Sequence, residues 1–140
     1  MADSDSLDLM HALEVIAEGE ARFTERFYEI FFERRPDTRP LFGLYSLSEQ
    51  EEMMRETLRS LHALAEGETW LKGNLSALGA SHEEYGVTGD MYPAYVDAML
   101  ECAKELMGDV LDADAQQALR SGLDSVTSVM VAACAGPDST

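Results

Sequence analysis

FTERFYEIFFERRPDTRPLF, residues Phe23–Phe42, decides how the rest of the chain is read. Phe23, Phe27, Ile30 and Phe31 recur at the helical period, while Arg22, Glu25, Arg26, Glu29 and Glu33 fall on the other side. A strand would turn every second residue to one face, and this stretch does not alternate. Pro36 and Pro40 then break the pattern and impose a short irregular corner before Phe42. Aromatic side chains at helical spacing usually build core. Tyr28 differs from its neighbours because its hydroxyl needs a partner in apolar surroundings.

The same period extends in both directions. Towards the N-terminus, Leu9, Leu13, Ile16 and Ala17 share a face, with Asp8, His11, Glu14 and Glu18 opposite. Beyond the proline corner, Ser48 and Glu51 have capping-box spacing, and Met54, Leu58, Leu61 and Ala65 follow as an inner stripe ending at Gly67. Leu71, Leu75, Leu78 and His82 form the next stripe, with Gly86 as a left-handed stop. Thr88 or Asp90 opens a further helix with Tyr92, Tyr95, Val96, Met99, Ala103 and Leu106 inward. Asp114 with Gln117 caps the last, whose inner stripe is Leu119, Leu123, Val126, Met130 and Ala133. No stretch reads as a strand. The expectation is an all-α chain of about six helices packed around one core.

Composition narrows the function. The chain has 140 residues and a formal charge of -17, from 27 acidic and 10 basic side chains. So acidic a surface repels phosphate backbones and anionic lipid, so no nucleic-acid partner and no membrane are expected. With neither a bilayer-length apolar run nor a leader, a cytoplasmic location is expected. Cys102 and Cys134 lie 32 residues apart on or beside apolar stripes and suggest buried structural thiols, not a disulfide framework. The acidity also suits a salt-adapted surface, since screening removes its self-repulsion.

Three side chains stand out as polar groups on inner stripes. His11 and His62 fall on polar stripes, but His82 follows Leu75 and Leu78 on the buried one. A buried imidazole needs a hydrogen-bond partner or a metal, and spacing alone leaves both open. Gln50, four residues before Met54, is either an inner polar group or an exposed first-turn residue. No nucleophile elbow, phosphate loop or paired-histidine metal spacing occurs.

The quoted stretch, together with LSEQEEMMRETL (47–58) and SHEEYGVTGDMY (81–92), resembles the globin family. It is most similar to the haem domain of bacterial flavohaemoglobins and to single-domain bacterial haemoglobins. The resemblance implies a globin-like fold over 1–140 as one domain, with frayed ends at about 1–4 and 135–140. It implies haem b (iron protoporphyrin IX) as cofactor, with His82 as the proximal iron ligand. Tyr28, Gln50 and Met54 would be distal; Phe42 would pack on the porphyrin at the interhelical corner; Val87, Tyr95 and Met99 would line the haem's other side; and Tyr92 would stiffen His82 from behind. The late glutamate that partners this tyrosine in flavohaemoglobins aligns here with Cys134.

The implied function is reversible dioxygen binding, with nitric oxide and carbon monoxide as further haem ligands. Nitric oxide dioxygenase activity would need a separate reductase, because the sequence carries no flavin or nicotinamide domain. A haem-based gas or redox sensor acting through a partner, and oxygen storage, are the alternatives. A globin fold that has lost haem and serves as an interaction module is a third class, disfavoured by His82, Phe42 and Tyr28 together. The chain is expected as a monomer or homodimer.

Overall fold

The computed structural model describes residues 4–42 and 46–134. Six α-helices follow one another: α1 (Ser4–Glu18), α2 (Glu20–Arg34), α3 (Ser46–Glu66), α4 (Leu71–Glu84), α5 (Met91–Met107) and α6 (Ala113–Cys134). No strand occurs among the described residues. Of the ends expected to fray, only Ser4 is described, and it begins α1.

α2 is built as the aromatic period requires. Phe23, Phe27, Ile30 and Phe31 are buried, and the rings of Phe27 and Phe31 stack at 5.6 Å. Its polar face meets α5 through Arg26–Glu105 and Arg34–Glu101 ion pairs. Both pairs are exposed, so they align the two helices more than they stabilise them. The proline corner is more regular than expected. Pro36–Phe42 forms a 3-10 turn in which Thr38 is buried and donates its hydroxyl to Arg35 O at 2.7 Å. Proline fits here because the turn asks for fewer backbone donors.

Two helix starts differ from the sequence expectation. α3 begins at Ser46, so Ser48 and Glu51 lie inside its first turns and do not form its cap. α6 is capped by Asp112, whose Oδ1 accepts from the Ala115 amide at 2.8 Å, and not by Asp114. The stops are as read: Gly67 and Gly86 adopt φ of 71° and 99°, the left-handed region that glycine enters without strain.

α6 is the central strut. It packs against α1 and α4, while α2 packs on α5 and α1 on α3. Ile16, Leu61, Met99, Leu119 and Leu123 fill the space between them. The α4–α6 crossing is close enough that a Cβ on Gly79 would sit 2.5 Å from Met130 O. Only glycine fits there, and His82 follows it by three residues on the same helix.

Candidate functional site

A cavity of about 450 Å³ lies between α3, α4, α5, α6 and the 3-10 turn. Its volume is in the range of small-molecule and cofactor sites, roughly 300–1,000 Å³. The turn contributes Phe42 and Leu41; α4 contributes Leu75, Leu78 and His82; α6 contributes Leu123, Val126 and Met130. Tyr92 and Tyr95 close it from α5, and Val87 from the loop before it. α3 supplies Met53, Thr57 and Ser60 together with Glu49, Glu52 and Glu56. A more open cleft of about 480 Å³ between α5 and α6 shares Tyr92 and Thr127 but holds no imidazole.

His82 has one defined protonation geometry. Its Nδ1 lies 2.8 Å from Leu78 O, one turn earlier on α4. A carbonyl oxygen only accepts, so Nδ1 carries the proton and Nε2 is left with a lone pair. Burial pushes the imidazole pKa below its ordinary value, while the Leu78 bond works the other way. The ring is therefore neutral, oriented and ready to coordinate. Among the described residues, no group of three or more His, Cys, Asp or Glu is placed to hold a metal ion. His82 is thus a single donor at an apolar wall.

Tyr28 sits one aromatic layer behind that wall. Its ring meets Phe42 edge-on at 5.4 Å and Phe27 at 4.6 Å. The hydroxyl is buried and closes no hydrogen bond among the described residues. Burial raises its pKa strongly, with the nearby Tyr95 hydroxyl adding to the shift. The Tyr28 and Tyr95 hydroxyls are close enough to perturb each other, although no hydrogen bond closes between them, and Tyr95 Oη lies 2.6 Å from Thr57 Oγ1. Burial also pushes Tyr95 up to about 12.

The structure brings His82, Phe42, Val87, Tyr92 and Tyr95 to one cavity. It does not bring Tyr28, Gln50, Met54 or Met99 to the wall. Met99 and Met54 are fully buried in the helical core, and Gln50 is half-buried beside the cavity-facing arc of α3. The reason is register. At about 100° per residue, Glu49, Met53, Glu56, Thr57 and Ser60 share one arc, and Gln50, Met54 and Leu61 turn toward the next. Met53 and Thr57 were thus missed by sequence reasoning, which took the Met54 stripe as the only inward one. His11 and His62 are exposed, as expected, and His62 pairs with Glu66. Cys102 is buried, with its thiol pushed up to about 12 by burial and by the Glu105 carboxylate. The Cys134 side chain lies outside the described residues.

Comparison with solved structures gives the fold independently. A Pseudomonas aeruginosa PAO1 protein described as structurally highly homologous to a human hemoglobin superposes with a TM-score of 0.77. Identity is 24%, over 91% of this chain and 96% of that one. A bacterial globin from Campylobacter jejuni superposes with a TM-score of 0.73 at 16% identity, over 91% of each chain. No curated protein sequence matches. The family description Globin matches residues 25–130, from the aromatic helix through the cavity face of α6. The chain belongs to the globin family, whose general activity is gas binding at a haem.

Proposed function

We propose that this chain is a haem globin that binds dioxygen reversibly, with haem b held by His82. The observation that carries the proposal is the His82 ring, neutral and fixed by Leu78 O, with its free Nε2 on an apolar cavity. When bound, the haem iron supplies the coordination site for a diatomic gas. The residues present fit a flat apolar guest. Phe42, Val87, Leu75 and Met130 offer carbon walls that exclude water, and His82 offers the single coordinating nitrogen. Glu49, Glu52 and Glu56 mark an acidic side on α3, which disfavours an anionic edge of the guest there.

Each remaining residue has a definable part. The Leu78 carbonyl holds the His82 ring and raises the basicity of Nε2. Tyr92 lines the cavity from the start of α5, and in this reading it would stiffen His82 from behind. Tyr28 lies one aromatic layer behind the wall and keeps a proton that no acceptor among the described residues takes; by turning its ring toward the cavity it would donate to a ligand gathering negative charge. Nitric oxide dioxygenase turnover, with an external reductase, is the enzymatic extension of this proposal. Mixing the oxygenated protein with nitric oxide and measuring nitrate tests it. Stoichiometric nitrate is expected, and its absence confines the chain to gas binding.

A further inference from the structure

The cavity-facing arc of α3 carries a polar element to which neither the fold nor the assigned roles give a use. Thr57 and Tyr95 both line the cavity, and their hydroxyl oxygens lie 2.6 Å apart, which sets Tyr95 against α3, the helix of the expected distal residues Gln50 and Met54, and not on the haem's other side. Thr57 Oγ1 also lies 3.0 Å from Met53 O, one turn earlier. A carbonyl only accepts, and a hydroxyl has one proton to give. Thr57 has therefore spent its proton on Met53 O. Tyr95 must donate to Thr57 Oγ1, and its own oxygen keeps only lone pairs for any other neighbour. The Tyr28 hydroxyl, buried and without a closed hydrogen bond among the described residues, is a proton close to that oxygen.

We propose that the Thr57–Tyr95 pair determines ligand specificity, with Thr57 holding the Tyr95 proton away from the bound gas. With the pair intact, this part of the wall presents oxygen lone pairs. A ligand that gathers negative charge, such as dioxygen, gains nothing from it, while a less polar ligand such as carbon monoxide is indifferent. Removing the Thr57 oxygen releases the Tyr95 proton as a second donor. Loss of a hydroxyl then tightens dioxygen binding, the reverse of the usual effect of deleting a polar group. The inference rests on the haem-globin assignment above, and its test separates the two.

Thr57→Val keeps the branched shape without the oxygen, Thr57→Ser keeps the oxygen, and Tyr95→Phe removes the proton altogether. In the haem-loaded full chain, Thr57→Val is expected to slow dioxygen release on the order of tenfold, as one hydrogen bond to a charged group does. It is also expected to lower the C–O stretching frequency of the carbon monoxide complex. Thr57→Ser should match wild type, and Tyr95→Phe should abolish both effects of Thr57→Val in the double variant. An effect of Thr57→Val that persists without the Tyr95 hydroxyl, or no effect at all, overturns the proposal.

A second readout needs no bound group. Ultraviolet Raman difference spectra, wild type minus Tyr95→Phe, isolate the Tyr95 hydroxyl, which is expected to show a donor signature that Thr57→Val removes. An acceptor signature in wild type overturns the proton direction. A donor signature in a protein that takes up no haem overturns the haem assignment and the gas role together, with the proton direction upheld.

Discussion

Tyr28 and Cys102 show how single residues trade stability against use. The Tyr28 hydroxyl is buried without a closed hydrogen bond among the described residues, which costs roughly 1–3 kcal/mol of desolvation in the ligand-free protein. Tyr28→Phe removes that cost. Urea unfolding of the ligand-free protein should show a variant as stable as wild type or more so, by up to about 1 kcal/mol. Dioxygen release from the loaded variant should be at least severalfold faster. A destabilised Tyr28→Phe would mean that the hydroxyl is satisfied after all. Cys102 makes the opposite case. Burial and Glu105 hold its thiol protonated, and its Sγ lies 3.5 Å from Phe23 O. It should resist a disulfide reagent until the protein unfolds, and rapid labelling of the native protein would contradict its burial.

At the scale of elements, the α4–α6 crossing sets where His82 stands. Gly79→Ala places a Cβ 2.5 Å from a backbone oxygen that cannot rotate away. The helices must separate, and overpacking of this kind costs roughly 1–3 kcal/mol. Chemical denaturation should register that loss, whereas Gly73→Ala on the same helix, with open space around it, should be neutral or stabilising. Equal effects at the two glycines would deny the close crossing.

The elements also show what the sequence made legible. The aromatic row of α2, the glycine stops and the buried face of His82 all follow from period and side-chain type, and the structure has them. The α3 register does not follow from period alone. One helix there faces two partners, the helical core through Met54 and Leu61 and the cavity through Met53 and Thr57. Glu49, Glu52, Glu56 and Thr57 look like a solvated face, because a cavity wall with polar members has no period of its own. An unusually wide apolar arc, with Met53 beside Met54, was the available signal. Gly79 was equally silent, since only the neighbouring backbone of α6 makes glycine necessary.

For the whole molecule, the formal charge of -17 acts on every element at once. No helix among the described residues is long and apolar enough to cross a membrane. Self-repulsion at low salt should lower the melting temperature, and raising ionic strength toward ~1 M, where the screening length is about 3 Å, should recover several degrees. A melting temperature independent of salt would show that the charge is locally compensated. The central assignment, a gas-binding haem held by His82, is tested most directly by absorption spectroscopy of the haem-reconstituted chain. Ferric, dithionite-reduced and carbon monoxide spectra should be compared between wild type and His82→Gly, with and without added imidazole. Wild type should show a Soret band that shifts on reduction and again with carbon monoxide. His82→Gly should lose or alter that spectrum, and free imidazole, supplying the missing nitrogen, should restore it. Identical spectra for wild type and His82→Gly, or no Soret band in either, would contradict the assignment.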